Sequence, residues 1–344
     1  MALEKSVLNT DEMMALLQTE YGLHFIDRKK LALGSANCFK VRCEEGDFFL
    51  KEYQSDFTMD RVDREADIVS YLRVRRFPVA GFVKTLNGGN AVLYEGHVIS
   101  VQDYVEGTSY LNDLPHALLM KSAGYLGRMH SLLKDYPLET EMDYRWAESI
   151  SAEAVARKFD ALLAALEAER SDPNYAKIRE DLIFKKNLMT CIDDWKQYFR
   201  GITFSATHGD YTACQLICGE DDIRAIIDFS SAGTLPVVWE IMRSYIQSGG
   251  VGRNETTLDV EDLVAYVAEY MKYAPLTRRD LEAMPYLYLF QLTQSSYGYK
   301  EYLIAKTENR EALLDFAFWR TGICREIHGK ANEISDALSL LIDR

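Results

Sequence analysis

The hydrophobic period of the chain changes near Leu114, and that change constrains the fold more than any other feature. Before it, Phe39, Val41 and Cys43 alternate with Lys40 and Arg42, the period of two expected of half-buried strands. Strands are predicted at Leu31–Leu33, Cys38–Cys43 and Asp47–Tyr53, with Glu45-Gly46 as a turn, and again at Ala91–Tyr94 and His97–Tyr104. A helix over Met59–Arg75 separates the two groups, and a shorter one over Asp11–Tyr21 precedes them, capped by the oxygens of Asn9 to Asp11. After Leu114 the spacing moves to about 3.6. It predicts helices at His116–Lys134, Ile150–Arg170 and Tyr175–Phe199, and helices again to the C-terminus. One island interrupts them, a hairpin of Gln215–Cys218 and Ile223–Phe229 around Gly219–Asp222. The expected class is α+β: a small antiparallel sheet with one internal helix over residues 1–106, and a mainly helical region over 107–344.

A chain of 344 residues with 48% hydrophobic side chains can bury a substantial core. Its net charge of -14 repels nucleic acid and anionic membrane surfaces. Neither partner is expected. The first residues are too charged for a signal peptide, and no apolar run approaches a membrane span, so a cytoplasmic protein is expected. The six cysteines form no Cys-x-x-Cys pair, which points to reduced thiols.

The chemistry-bearing stretch is His208-Gly209-Asp210-Tyr211-Thr212-Ala213-Cys214-Gln215, followed by Ile226-Ile227-Asp228-Phe229. A His-Gly-Asp loop, a side-chain amide five residues after its Asp and an apolar strand ending in Asp-Phe resemble the catalytic loop and metal strand of the aminoglycoside phosphotransferase, choline kinase and homoserine kinase family. The resemblance extends over about residues 25 to 245 and implies a two-lobed protein-kinase-like fold, with ATP and Mg2+ as cofactors. Phosphoryl transfer needs a carboxylate that orients the attacking hydroxyl and oxygen ligands that hold magnesium on the phosphates. Asp210 fits the first role and Asp228 the second. His208 is implied to pin the loop through its ring, with a general-base role as the alternative. Gln215 stands where the family has Asn: it either ligates the metal or touches only Asp210 or the backbone.

Upstream, Gly34-Ser35-Ala36-Asn37 lies where kinases fold backbone amides over phosphates, though an ordinary hairpin turn fits as well. Lys51 resembles the lysine that pairs with the phosphates, and Glu65 its expected ion-pair partner, on the same helix stripe as Ile68, Val69 and Leu72. Val101-Gln102-Asp103-Tyr104-Val105-Glu106-Gly107 resembles the interlobe hinge, whose backbone at Asp103 and Val105 would read adenine. Gly124-Tyr125-Leu126-Gly127-Arg128-Met129-His130 looks like a family packing helix to which no chemistry is assigned. Glu240 replaces a family Asp that supports the catalytic loop, and Arg243 pairs with it, with the loop, or with neither.

The implied activity is transfer of the ATP γ-phosphate to a hydroxyl of an amino sugar, aminoglycoside, amino alcohol or sugar. A small-molecule hydroxyl acceptor is therefore the expected partner. The acidic balance suits a cationic acceptor, although charge summed over a chain says little about one pocket. Tyr286, Tyr288, Phe290, Gln291, Gln294, Tyr297, Tyr299 and Tyr302 either line an acceptor pocket or pack the core. The alternative function is a kinase-like binding or structural protein, similar to spore-coat members of the superfamily, in which catalysis has decayed. Gln215 and the single-glycine loop are its support.

Overall fold

The computed structural model describes residues 3–31, 34, 36–137 and 145–343. In chain order the first elements are α1 (Thr10–Leu16), β1 (Phe25–Leu31), β2 (Asn37–Cys43), β3 (Gly46–Glu52), α2 (Met59–Val74), β4 (Ala91–Tyr94), β5 (His97–Asp103) and β6 (Thr108–Ser109). Helices α3 (His116–Leu133), α4 (Arg145–Glu148), α5 (Ala152–Glu167), α6 (Tyr175–Leu188) and α7 (Ile192–Lys196) follow. Then come β7 (Phe204–Thr207), β8 (Leu216–Cys218), β9 (Ile223–Ile226) and β10 (Gly233–Pro236). Four helices complete the chain: α8 (Val237–Tyr245), α9 (Val260–Met271), α10 (Arg278–Gln294) and α11 (Arg310–Ser339). None of the described helices is long and apolar enough to cross a membrane.

The chain divides into two compact units, Met1–Ser109 with Gln215–Ala232, and Tyr110–Cys214 with Gly233–Arg344. In the first, β1 to β5 form one antiparallel sheet in the order β1-β2-β3-β5-β4. Strand β1 lies earlier than predicted, because the charged run Asp27-Arg28-Lys29-Lys30 occupies the exposed edge of the sheet and hides the strand pattern. The rest of the predicted strand, and Ser35, lie outside the described residues. Helix α1 begins at the expected cap: Asn9 and Glu12 form a reciprocal capping box. Helix α2 buries Val62, Glu65, Ala66, Ile68, Val69 and Leu72, the stripe that its spacing predicted.

The island at Gln215–Ala232 packs with the first unit although it lies far along the chain. Strands β6, β8 and β9 form a small sheet with Leu216 opposite Ile226 and Thr108 opposite Cys218. Gly107 lets the chain approach β8, since a Cβ there would stand 2.6 Å from the Cys218 carbonyl oxygen. The Ile226 N–H donates to the Pro78 carbonyl at 2.9 Å, and Arg224 donates to the Glu106 carbonyl, also at 2.9 Å.

In the second unit, α3 packs on α9 through Gly127, where a Cβ would sit 2.4 Å from the Tyr270 carbonyl oxygen. The single long helix predicted over Tyr175–Phe199 is instead α6, a 3-10 turn, the short α7 and a second 3-10 turn. Strands β7 and β10 form a two-stranded ladder with Thr207 opposite Gly233. Buried Asp280, which also closes a capping box with Thr277, anchors the start of this ladder by accepting the Thr203 N–H at 2.6 Å and its hydroxyl at 2.8 Å.

Candidate active site

In the first unit, Lys51 and Tyr53 lie two residues apart on one face of β3 and its continuation. The Lys51 ammonium stands 4.7 Å from the Tyr53 ring centroid and donates to Asp228 Oδ1 at 2.9 Å. That same oxygen accepts the Ser230 hydroxyl at 2.7 Å. Glu65, only 3% exposed, accepts from the Tyr53 hydroxyl at 3.1 Å. The salt bridge of Lys51 is thus with Asp228 rather than with Glu65, whose charge acts on it without a direct bond. The reason is local: Asp228 adopts a left-handed backbone, φ 62°, two residues past the β8–β9 ladder, and this brings its carboxylate to Lys51.

Burial presses the Lys51 ammonium toward neutrality, but the charges of Glu65 and Asp228 and the Tyr53 hydroxyl outweigh it and hold its pKa above the ordinary value. Burial pushes the Glu65 carboxyl upward; the Lys51 charge offsets part of that rise, and the Asp228 charge adds a smaller push in the same direction as burial. Two carboxylates share one ammonium here. Gln215 stands one residue before β8, where its carbonyl accepts the N–H of Ile227, the neighbour of Asp228, at 3.0 Å. A carboxylate in local excess over ammonium is the oxygen donor that a hard divalent cation takes, and Gln215, held by its backbone next to Asp228, carries a side-chain oxygen of the same type.

Gly34 has φ +75°, and a Cβ there would meet no neighbour within 4 Å, so the turn demands glycine for its backbone alone. Val105 lies half-buried in the segment between β5 and β6. The Asp103 N–H donates to the Gly81 carbonyl at 2.8 Å, and its side chain pairs with Arg73 at 2.9 Å. The Asp103 N–H is thus engaged within the unit, where Gly81 brings the neighbouring segment against β5.

In the second unit, the loop after β7 hangs on one buried carboxylate. Glu240, fully buried on α8, accepts the backbone N–H groups of His208, at 3.0 Å, and Gly209. His130 Nε2 lies 2.8 Å from the same carboxylate, and His130 Nδ1 lies 2.9 Å from the Tyr270 hydroxyl. Burial pushes the Glu240 carboxyl upward, but the hydrogen bond and charge of His130, with smaller contributions from His208, leave it below the ordinary value. Gly209 has φ +79°, and the buried His208 ring accepts the Asp210 N–H on Nδ1 at 3.2 Å. Arg243, three residues after Glu240, pairs with the Asp210 carboxylate.

Of the alternatives for Arg243 the structure shows the pairing with the loop, at Asp210, whereas His130 was assigned no such position from sequence. The signal for His130 was Gly127 one turn before it, the small residue that lets α3 close on α9. Among the C-terminal aromatics, Tyr288, Phe290 and Tyr299 are fully buried, whereas Tyr297 is 46% exposed.

The model of the phosphotransferase enzyme family matches residues 27–279. No protein of curated function matches the chain in sequence. Among solved structures, a spectinomycin phosphotransferase with ADP and spectinomycin superposes with a TM-score of 0.66 and 16% identity, covering 95% of this chain and 100% of its own. An aminoglycoside phosphotransferase from Alicyclobacillus acidocaldarius gives 0.64 and 15%, covering 96% and 98%. An amicoumacin kinase with AMP-PNP, Ca2+ and its antibiotic gives 0.63 and 15%, covering 93% and 94%. These similarities identify the α+β fold as the protein-kinase-like one. With most of its length matched by the family model, the chain belongs to the phosphotransferase enzyme family.

Proposed function

We propose that the protein transfers the γ-phosphate of ATP to a hydroxyl group of a small molecule, in a magnesium-dependent reaction. The observation that carries this reading is the buried Glu240 brace, which fixes the backbone of His208 and Gly209 and so presents Asp210 at the end of a rigid loop. In the step proposed, the acceptor oxygen forms a bond to the γ-phosphorus, the β–γ bridging bond breaks, ADP leaves, and Asp210 takes the hydroxyl proton. His208 positions Asp210 by accepting its N–H and has no role as a base. Arg243 orients the carboxylate.

On the first unit, Lys51 would bind phosphate oxygens. Asp228 and Gln215 would hold magnesium, which when bound offsets charge on the phosphates. Support comes from the excess of carboxylate over ammonium at Lys51, Glu65 and Asp228. The similar proteins solved with ADP or with AMP-PNP and Ca2+ support it too.

The test is calorimetric titration with ATP, with and without Mg2+, on the wild type and on Asp210→Asn. Micromolar, magnesium-dependent binding is expected in both. Turnover with any acceptor found should fall by on the order of 10²–10⁴-fold in the variant, the usual contribution of a positioned base. No nucleotide binding by folded protein refutes the reading, and an unchanged rate in the variant removes Asp210 as the base.

A further inference from the structure

A cluster of guanidinium groups in the second unit has more positive charge than its surroundings neutralise. Arg320 on α11 is only 7% exposed, and Arg253 lies half-buried in the segment between α8 and α9. Both stand near the ring of Phe316, with Cζ atoms 5.5 Å and 4.9 Å from its centroid. Arg253 also lies 4.2 Å from the Trp319 ring, and that segment is fixed in place by the Trp319 indole N–H, which donates to the Gly252 carbonyl at 3.0 Å. Gly322 lets the segment close on α11: a Cβ there would stand 2.3 Å from Thr256.

The polar atoms of the cluster are under-used. Arg320 donates to neutral partners, Ser295 Oγ at 3.1 Å and Gln291 Oε1 at 3.4 Å, and its Nε is buried without a hydrogen-bond partner. Nη1 of Arg253 and Nη1 of Arg243 are buried without partners as well. Among the described residues, the acids seen to act on the three are Asp210, paired with Arg243, and exposed Asp113, whose charge reaches Arg253. Buried Lys185 lies alongside and donates to the Ser295 carbonyl at 2.8 Å; burial pulls its pKa down to about 7, so it adds only part of a positive charge. Burial lowers the pKa of Arg253 and of Arg320, and the charge of Arg320 on Arg253 and of Arg243 on Arg320 acts in the same sense. Buried cations with unfilled donors are costly unless an anion completes them.

We propose that the acceptor is a small hydroxyl compound carrying an anionic group, a carboxylate or a phosphate ester, which Arg253 and Arg320 grip while Arg243 connects their charge to Asp210. Planar guanidinium forks match both kinds of anion through paired N–H donors. The aromatic rings beside them are then the walls that hold the guanidinium planes, which differs from the cationic acceptor suggested by the overall charge. The inference rests on the phosphotransferase reading of Asp210, and its test is arranged so that the two can fail separately.

The full chain is titrated with glucose, glucosamine, gluconate and glucose 6-phosphate, and separately with MgATP, with the thermal unfolding midpoint as readout. Gluconate or glucose 6-phosphate should stabilise the protein, and the two together distinguish a carboxylate from a phosphate ester. Glucose and glucosamine should not. In Arg253→Gln and Arg320→Gln the anion affinity should fall by about ten- to a hundredfold, the range of one charge-assisted hydrogen bond, while the MgATP shift stays. Arg253 is the less buried of the two, so its variant keeps the test readable if Arg320→Gln does not fold. Stabilisation by glucosamine alone, by none of the four, or by anions equally in wild type and variants overturns the proposal. A MgATP shift without an anion shift removes only the anionic acceptor. An anion shift without a MgATP shift retains the anion site and removes the phosphotransferase reading instead.

Discussion

Asp228 and Asp210 are two aspartates in opposite electrostatic settings. Asp228 shares a single ammonium, that of Lys51, with buried Glu65, so its neighbourhood holds more carboxylate than cation. Asp210 pairs with Arg243, whose charge reaches Arg320 and through it Arg253, so its neighbourhood holds more cation than carboxylate. The supports differ too: Asp228 is delivered by a hairpin ladder and one left-handed residue, Asp210 by a loop hung on Glu240. Within one chain of net charge -14, each imbalance is local and suits a ligand of the opposite sign.

The largest effect is expected from breaking the second support. Glu240→Gln leaves the shape but removes the charge that holds His130 and two backbone N–H groups in a buried site. Leaving buried donors without their charged acceptor costs about 1–3 kcal/mol for each group, which chemical denaturation would read directly. The acid limb carries the sign. Because the Glu240 carboxyl is depressed below its ordinary value in the folded state, its contribution is full above the unfolded pKa and is lost as pH falls through the folded one. The variant should therefore lose stability less steeply on acidification than wild type. Equal slopes would mean that the loop does not hang on this charge.

Asp228→Asn tests the first setting with a smaller effect. Removing one of two carboxylates should weaken magnesium-dependent nucleotide binding by about 10- to 100-fold, a range reached even by partners that only orient a metal ligand. It should also lower the pKa of Glu65, since the Asp228 charge is one of the causes that raise it. Nucleotide binding that keeps its full magnesium response would place the cation elsewhere.

The two settings were unequally legible in the sequence. Lys51, Glu65, Asp210 and Asp228 each sit in a short linear motif, so the family resemblance could single them out. What joins them did not appear there. His130 meets Glu240 across 110 residues, and Arg243 meets Asp210 across 33, through helix packing that no local period records. Arg253 and Arg320 lie in no motif, and their shortage of partners depends on how α11 closes over the segment after α8. Strands β7 and β10, of four residues each, are too short to show a period, yet they frame the His208 loop. β1 was displaced by its charged edge, and Lys51 pairs with Asp228 because of a backbone conformation at one residue.

Gln215→Asn is the smallest change and bears on the first setting alone. The chain places Gln215 one residue beyond the β8–β9 ladder, hydrogen-bonded through its carbonyl to Ile227, so the backbone that carries it is fixed whichever amide it bears. Shortening the side chain by one methylene gives the Asn that the family resemblance implies at this position. If Gln215 reaches the magnesium beside Asp228, the variant should bind magnesium nucleotide as well as wild type or better, with stability within about 0.5 kcal/mol. Calorimetric titration against Mg2+ at fixed ATP measures the first, and the denaturation midpoint the second. Unchanged magnesium affinity with a clear loss of stability would instead assign the longer side chain to packing, leaving Asp228 as the protein's main hold on the metal.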